Sequence, residues 1–278
     1  MKINVLTLFP EMFTPVTEAS ILGKAVDKGI LDINLVNIRD YTLDKHRKTD
    51  DTPFGGGPGM VMSAQPIFDA LRSLGAPAAR VIYMSPRGRI LDQQKIEELA
   101  AAPELTILCG HYEGVDQRVL DAWNMEEISI GDYILTGGEL AAMVLIDSVS
   151  RFIPEVLGSE ESATEESIYS GLLEFDQYTK PREYEGRAVP EVLFGGNHQE
   201  IHLWQYERSL ALTKERRPDL FAAYLAKLGI TGSAQVNPTP SNTTTGNARG
   251  VRITLGKHDA PSLTKQEKRI LEKILNDE

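Results

Sequence analysis

The chain has 278 residues, of which 41% are hydrophobic and 25% charged, so it is long enough for one large domain or two smaller ones. Its formal net charge of −11 argues against a sequence-independent nucleic-acid binder, whose affinity rests on neutralising phosphates, but leaves room for a local basic face. The single cysteine, Cys109, excludes an internal disulfide framework and a cysteine-rich zinc site, and it leads us to expect a cytoplasmic protein.

Strands and helices alternate along the first half of the chain. Short apolar, β-branched runs predict buried strands at 3–9, 31–38, 79–85, 104–110 and 125–131. Amphipathic stretches predict helices at 17–28, 66–74 and 92–101, and an apolar stretch predicts another from Glu139 to Pro154. This alternation predicts an α/β fold with a mainly parallel sheet covered on both faces. No run approaches 18 apolar residues, so we predict no contact with a membrane.

The second half changes in composition. After a first domain at 1–157, the polar and acidic stretch at 158–172 predicts a flexible linker. A helical pattern from Asn197, the expected N-cap, indicates a small helical domain at 173–230. Residues 231–278 begin with low-complexity sequence, which predicts a disordered tail with at most a short, weakly docked helix at its end.

Three glycine-dense clusters adjoin the predicted strands: FGGGPGM at 54–60, CGHYEG at 109–114 and IGDYILTGGE at 130–139. Glycine at this density weakens regular structure, and it lets the backbone approach a ligand closely. In an open α/β sheet, loops at strand ends are where ligands bind. The clusters therefore predict a binding site made largely of backbone.

Several common sites are disfavoured. The first predicted strand lacks a following G-x-G-x-x-G turn, and the glycines at 54–60 lack the lysine of a phosphate-binding loop. No H-E-x-x-H motif occurs, and His198 and His202 have no third metal ligand nearby, so we predict no metal site. Backbone amides beside Tyr112 and Tyr133 suit adenine and an uncharged ribose, which makes a nucleoside site a hypothesis open at this point.

A set of ordered motifs then carries a resemblance to a known family. They run from residue 1 to about 229: LFPEMF, DKHRKTDDTPFGGGPGMVM, YMSPRGR, CGHYEGVDQRV, SIGDYILTGGELAAMVLIDSVSRFIPEVLG, ATEES, YTKPREYEG, VPEVLFGGNH and ERRPDL. Together they resemble the bacterial tRNA (guanine-N1)-methyltransferases, the TrmD family of the SPOUT class. The tail from Thr231 onward shows no such resemblance.

The resemblance implies a trefoil knot that binds S-adenosylmethionine, and a homodimer whose active sites are shared between subunits. It also implies methylation of guanine N1 at tRNA position 37, 3′ of the anticodon, and possible dependence on Mg²⁺. Carried over by position, the cofactor-binding residues are Tyr83, Met84, Ser85, Pro86, Gly110, Tyr112, Glu113, Ile130, Gly131, Asp132, Tyr133, Ile134, Leu135, Gly137 and Gly138.

Guanine N1 must lose a proton as it accepts a methyl group, so the reaction needs a general base and a group that stabilises charge on O6. The resemblance places these roles at Glu166 and Arg151. Glu166 departs from the family pattern, which has aspartate there, and a displacement of about 1 Å can cost roughly a hundredfold in rate. Asp50 is therefore a second candidate for the base, and Glu165 a third.

Further departures affect the loops. His111 stands where some relatives have arginine, and Ala141 replaces a proline.

An acidic protein can bind tRNA if cations of the C-terminal helices and of the segment with Lys45, Arg47 and Lys48 line one groove. Two other functions stay open: a SPOUT methyltransferase for another RNA position, and a non-catalytic RNA- or nucleoside-binding module.

Overall fold

The computed structural model describes residues 1–75, 80–157, 170–230 and 263–276. These residues divide into two compact units, Met1–Ala163 and Thr164–Glu278, and each has a hydrophobic core of its own. Glu165, Glu166 and the predicted low-complexity segment at 231–247 lie outside the described residues.

The first unit contains the five predicted strands and two that were not predicted. Its strands are β1 (Lys2–Thr7), β2 (Asp32–Asn37), β3 (Asp50–Asp51), β4 (Val61–Met62), β5 (Arg80–Ile90), β6 (Glu104–Cys109) and β7 (Glu126–Ser129). Five of them form one parallel sheet in the order β2, β1, β6, β5, β7, which confirms the predicted mainly parallel α/β sheet. The short strands β3 and β4, which the sequence pattern did not predict, form a separate antiparallel pair.

Helices connect these strands. They are α1 (Thr14–Thr17), α2 (Ser20–Asp27), α3 (Ala64–Ser73), α4 (Gln93–Ala100), α5 (Gln117–Ala122) and α6 (Glu139–Ser150). The predicted helices are confirmed with shifted ends. The first is interrupted before Ser20, whose φ of 56° is incompatible with a continuous right-handed helix. The sequence missed α5 because six residues give too little periodicity to recognise.

Alternating side chains along each strand build two cores, one on each face of the sheet. Ile3 and Val5 of β1 pack with residues of α2, α4 and α6 on one face. Leu6 packs on the other face with residues of α3 and α5, including Leu71 and Val119. Coverage of both faces explains why these strands are nearly continuous apolar runs.

A cluster of four charged residues fastens α4 to the sheet at the start of β5 and β7. Lys95 is 6% exposed, and its Nζ lies 2.7 Å from both Glu98 Oε2 and Glu126 Oε1. Arg80 contacts the same two carboxylates. The hydrogen bond to Glu126 raises the pKa of Lys95. Burial opposes ionisation of Glu126, but hydrogen bonds from Lys95 and Arg80 outweigh it and lower the pKa of that carboxyl.

We expect Lys95→Met to lower the free energy of unfolding by about 1–2 kcal/mol at pH 7, since it leaves two partly exposed carboxylates with one cation. Carboxyls with lowered pKa contribute stability above their unfolded pKa, near 4.3, and lose it as the pH falls through their folded pKa. The difference in free energy of unfolding between Lys95→Met and wild type should therefore shrink toward pH 3. Urea unfolding at pH 7 and pH 3 measures the free energy of unfolding of each protein. Lys24→Met, on the exposed face of α2, is the control. An equal loss of stability in the two variants would contradict the prediction.

The second unit is mainly helical in its described part. It contains a short hairpin of β8 (Glu183–Tyr184) and β9 (Arg187–Ala188), followed by α7 (His198–Arg216) and α8 (Pro218–Lys227). Asn197 caps α7 as predicted, because its Oδ1 accepts hydrogen bonds from the backbone N–H groups of Gln199 and Glu200.

The last described helix, α9 (Lys265–Asn276), belongs to the core of this unit. Its Leu271 and Ile274 are buried with residues of α7 and α8, and Lys214 Nζ of α7 donates to the Ile274 carbonyl oxygen at 2.6 Å. The sequence placed this helix in a tail with weak docking. Its isolated pattern shows an apolar stripe, but the surface that receives the stripe is formed by residues about 50–60 positions earlier.

Within the described ranges, no helix has the length and apolar character needed to cross a membrane.

Candidate functional site

A cleft of about 380 Å³ opens at the carboxyl ends of β6 and β7, beside the middle of β5. It is lined by residues 83–86 of β5 and by two loops, at 110–114 and 130–138. The carboxyl edge of a parallel sheet is where α/β proteins place ligands, and the volume falls in the range of small-molecule sites. The two glycine clusters at 109–114 and 130–139 therefore meet at one place, as the sequence analysis expected of strand-end loops.

The two loops meet backbone against backbone. The Gly138 N–H donates to the Gly110 carbonyl oxygen at 2.8 Å, and His111 and Gly137 form an antiparallel bridge. A Cβ on Gly138 would lie 2.9 Å from Gly110 N and 3.0 Å from Cys109 Cα. This approach requires glycine at 138, and it brings the start of α6 against the end of β6.

Gly110 also makes room for an aromatic ring. A Cβ on Gly110 would lie 2.7 Å from Cε2 of Tyr83, so the glycine lets the Tyr83 ring lie against the loop. Burial raises the pKa of the Tyr83 hydroxyl, which keeps it protonated and available as a hydrogen-bond donor.

The loop at 130–138 supplies an apolar wall. Tyr133, Ile134 and Leu135 line the cleft and remain 55%, 80% and 36% exposed. At the start of this loop the Ser129 hydroxyl contacts both the N–H and the carbonyl oxygen of Gly131. A wall of apolar side chains above exposed backbone groups is suited to a flat, partly polar ligand such as a nucleoside.

Below the cleft lies a buried polar group that the sequence analysis missed. Glu139, at the first turn of α6, is 2% exposed, and its Oε1 accepts a hydrogen bond of 2.8 Å from Thr7 Oγ1. Burial, reinforced by the Glu139 charge, raises the pKa of the Cys109 thiol well above its usual value. Cys109 is therefore a packed, protonated thiol and no nucleophile.

His111, which stands where some relatives have arginine, is packed against two aromatic rings. Its ring packs against Phe9 and Tyr112, with centroids 5.1 and 4.8 Å apart. Its Nδ1 is buried and makes no hydrogen bond within the part of the chain that the structure describes. The sequence offered one reason to include His111 in the site, which is that its neighbours Gly110 and Tyr112 were predicted to bind the cofactor; all three line the cleft.

The structure brings most of the predicted cofactor-binding residues together. All of them line the cleft except Asp132, which is exposed on the same loop. Residues that line it without having been predicted are Gly114, Ile128, Ser129, Thr136 and Ala141 along with His111. All except Ile128 either adjoin a predicted residue in the chain or lie on the first turn of α6.

Of the predicted catalytic residues, the two that the structure describes, Asp50 and Arg151, do not line the cleft. Asp50 is half-buried on β3, where it pairs with Met62 of β4. Arg151 follows the last turn of α6, while the first turn of that helix is at the cleft. Twelve helical residues place Arg151 about 18 Å from the cleft end of the helix. Glu166 is outside the described residues.

No metal site is evident at this edge of the sheet. Among residues 1–75, 80–157, 170–230 and 263–276, no three His, Cys, Asp or Glu side chains are grouped so that they could hold an ion.

Comparison with known proteins identifies what the chain resembles. The sequence profile of the family described as tRNA (Guanine-1)-methyltransferase TrmD matches residues 1–223. A tRNA (guanine-N(1)-)-methyltransferase of Ruminiclostridium cellulolyticum is 54% identical over 224 residues, which cover 80% of this chain and 96% of that protein. The enzyme of the same name from Clostridium perfringens is 54% identical over 222 residues, covering 80% and 93%. One from Chlamydia pneumoniae is 53% identical over 230 residues, covering 83% of this chain and 63% of its own length.

Proposed function

The chain belongs to the TrmD family of tRNA (guanine-1)-methyltransferases, and on that premise we propose that it methylates N1 of the guanine at tRNA position 37. The methyl donor is S-adenosylmethionine, whose sulfonium supplies an electrophilic methyl group. The single observation that carries the proposal is the cleft, where fourteen of the fifteen residues expected to bind the donor lie around one cavity.

The residues of the cleft fit such a donor. Backbone groups at 110–114 and 130–138 are suited to the adenine and ribose, with Tyr133, Ile134 and Leu135 covering the flat base. The glycines at 110, 137 and 138 let these loops pack closely and so shape the cleft, because a Cβ there would clash with Tyr83, Glu139 or the Gly110 backbone. Tyr83, Met84, Ser85 and Pro86 form the far side, and Asp132 is proposed to contact the donor from the rim.

We propose that the loops of the cleft are the crossing point of a trefoil knot. The close approach of Gly138 to Gly110 and Cys109, and the bridge between His111 and Gly137, support this, because a knot requires one chain segment to pass tightly against another. The proposed domains are the knotted unit at 1–157, a linker at 158–172 and a tRNA-binding helical domain at 173–230.

The proposed methyl transfer needs two groups, a general base and a group that stabilises negative charge. Glu166 accepts the N1 proton as the methyl group arrives, and Arg151 donates hydrogen bonds to the O6 atom on which negative charge grows. Asp50 remains the second candidate for the base. No step is assigned to Mg²⁺, because the described residues offer no group of ligands for it.

We propose a homodimer with shared active sites, and the position of Arg151 supports it. At about 18 Å from the cleft end of α6, Arg151 cannot serve the cleft of its own subunit, but a second copy packed along α6 can present its own Arg151 there. The exposed face of α6 supports this packing, since it carries Leu140 and Val144, which are 50% and 45% exposed. Ile134, 80% exposed, adds to this apolar area.

We expect Val144→Asp to weaken the dimer at least a hundredfold, because a carboxylate would be buried in an apolar contact without a partner. Activity should fall with it if each site needs two subunits. Sedimentation at micromolar concentration measures the dimer, and Ile21→Asp on the exposed side of α2 is the control. A wild-type monomer, or an active dimer of the Val144 variant, would contradict the shared site.

We further propose that tRNA and S-adenosylmethionine are the partners of this protein, and that it acts in the cytoplasm, where tRNA is modified. Cations of α7 and α8 and the segment with Lys45 and Lys48 would neutralise phosphates locally in spite of the net charge of −11. Lys45 and Lys48 are both exposed in the structure.

Transfer of a labelled methyl group to tRNA transcripts tests the proposed function. One transcript carries guanine at position 37 and a second carries adenine there. Transfer to the guanine transcript alone, with N1-methylguanosine as the product, supports the proposal. Transfer to both would indicate a methyltransferase for another position, and binding of the donor without transfer to either would indicate a binding module.

A further inference from the structure

Phe54 is the most exposed large apolar side chain among the described residues, with its whole surface in contact with solvent. It lies in the loop at 52–60, between β3 and β4. A single exposed apolar side chain is ordinary in itself. The backbone around Phe54 and the attachment of its loop distinguish it.

The three residues after Phe54 are glycines in a left-handed conformation, with φ of 90°, 77° and 123° at Gly55, Gly56 and Gly57. No described heavy atom beyond their chain neighbours lies within 4 Å of the position that a Cβ would take on any of them. Packing against neighbours therefore does not explain these glycines. They let the backbone turn sharply, and they present Phe54 on a segment that the core does not hold.

Both ends of this loop are nevertheless fastened to the cleft. Asp50 pairs with Met62 across the β3–β4 ladder, and the Met62 N–H donates to the Gly114 carbonyl oxygen at 2.9 Å. The Glu113 N–H donates to the Met60 carbonyl oxygen, also at 2.9 Å. Residues 60–62 are thus hydrogen-bonded to the 110–114 loop, which lines the cleft. The loop with Phe54 projects from the rim of the proposed active site.

The charges at the base of this loop are mixed, two exposed lysines with the carboxylates of Asp50 and Asp51, and the lysines suit a nucleic acid as the group that meets Phe54. Lys48 lies at the base of the same hairpin, where its Nζ is 3.9 Å from Asp51 and its side chain is 52% exposed. Lys45, three residues earlier, is exposed as well. An aromatic side chain beside exposed cations is the combination that binds unpaired bases, with the ring stacking on a base and the cations near the phosphates.

We propose that Phe54 stacks on the unpaired tRNA base next to the target guanine and holds the strand open while that guanine enters the site. The inference rests on the proposed function. An enzyme that methylates a base edge must take the base out of its stack, and the neighbours then lose a stacking partner. Phe54 replaces that partner, and the left-handed glycines let the loop adjust to the RNA.

Substitutions at Phe54 test this proposal. Phe54→Ala should raise the KM for tRNA by about 5- to 150-fold, which corresponds to the 1–3 kcal/mol that stacking of one base contributes. Phe54→Trp should retain a KM near that of wild type, since it keeps an aromatic face. Affinity for S-adenosylmethionine should be unchanged in both. Ile21→Ala, which shortens an exposed apolar side chain on α2, is the matched control.

Fluorescence provides a readout that a merely structural role would not change. Anticodon stem-loops with 2-aminopurine at position 36 or at position 38 should be quenched by wild type at one of these positions, and not by Phe54→Ala. Equal quenching by the two proteins, or equal KM values for the alanine and tryptophan variants, would overturn the proposal. Methyl transfer by wild type to the guanine transcript tests the proposed function separately, so the two failures are distinguishable.

Discussion

Replacing Glu166 with glutamine is expected to lower kcat by roughly 10²- to 10⁴-fold, the contribution of a positioned general base. Glutamine keeps the size of the side chain and removes its ability to accept the N1 proton. Affinity for S-adenosylmethionine should stay within about twofold of wild type, because Glu166 is proposed to accept the N1 proton and is not among the residues proposed to bind the donor. Single-turnover methyl transfer measures the chemical step without product release.

Two further substitutions separate the candidates for the base. Glu165→Gln removes the neighbouring carboxylate and should stay near wild type. Asp50→Asn should change the KM for tRNA more than kcat, since Asp50 is half-buried on β3, at the base of the loop that carries Phe54. If Asp50→Asn abolishes turnover while Glu166→Gln remains active, the two roles must be exchanged.

The change from aspartate to glutamate makes a further variant informative. Glu166→Asp restores the residue of the family pattern and shortens the side chain by one methylene. If the surrounding chain has adapted to glutamate, this variant should lose about tenfold or more in kcat, because displacement of a reacting group by about 1 Å is costly. A gain in kcat would show that the glutamate is a poorer base in an otherwise typical site.

The sequence predicted the sheet well because the signal is local. A buried parallel strand must be apolar on both faces, and 104–109 meets that requirement within six residues. The short strands β3 and β4 have two residues each and leave no such pattern, although they connect Asp50 and Phe54 to the cleft. Their place depends on hydrogen bonds to residues about 50 positions later, such as the one from Met62 to Gly114.

The parts of the candidate site that the sequence predicted are likewise those whose signal is local. Glycine density marked the loops at 109–114 and 130–139, since closely packed backbone needs glycine in the sequence itself. The position of Arg151 could not be inferred in this way. Motif order places it near Glu139 in the chain, and only the straight run of α6 between them shows that one end of the helix is far from the cleft. The docking of α9 likewise depends on a surface that α7 and α8 form together.

Gly138→Ala is expected to lower affinity for S-adenosylmethionine at least a hundredfold and to destabilise the first unit by about 1–3 kcal/mol. The added methyl group would lie 2.9 Å from Gly110 N, closer than real Cβ atoms approach other atoms, and 3.0 Å from Cys109 Cα, tighter than most Cβ contacts. Neither atom belongs to a side chain that can rotate away, so the 110–114 loop or the start of α6 must shift. Either shift lengthens the 2.8 Å hydrogen bond from Gly138 to Gly110 and distorts the cleft.

Gly195→Ala is the matched control, because a Cβ there would meet only the Val192 and Glu191 carbonyl oxygens, at 3.7 and 3.8 Å. Both variants replace glycine by the same residue without a positive φ, so they differ mainly in the space available. Calorimetric titration with S-adenosylmethionine and thermal unfolding should show a loss for Gly138→Ala only. Donor binding by that variant at wild-type affinity would mean that the contact between these two loops does not shape the donor site. The cleft would then have to bind the methyl donor mainly through Tyr83 to Pro86 and the apolar wall at 133–135, and the proposed knot crossing would lose its link to catalysis.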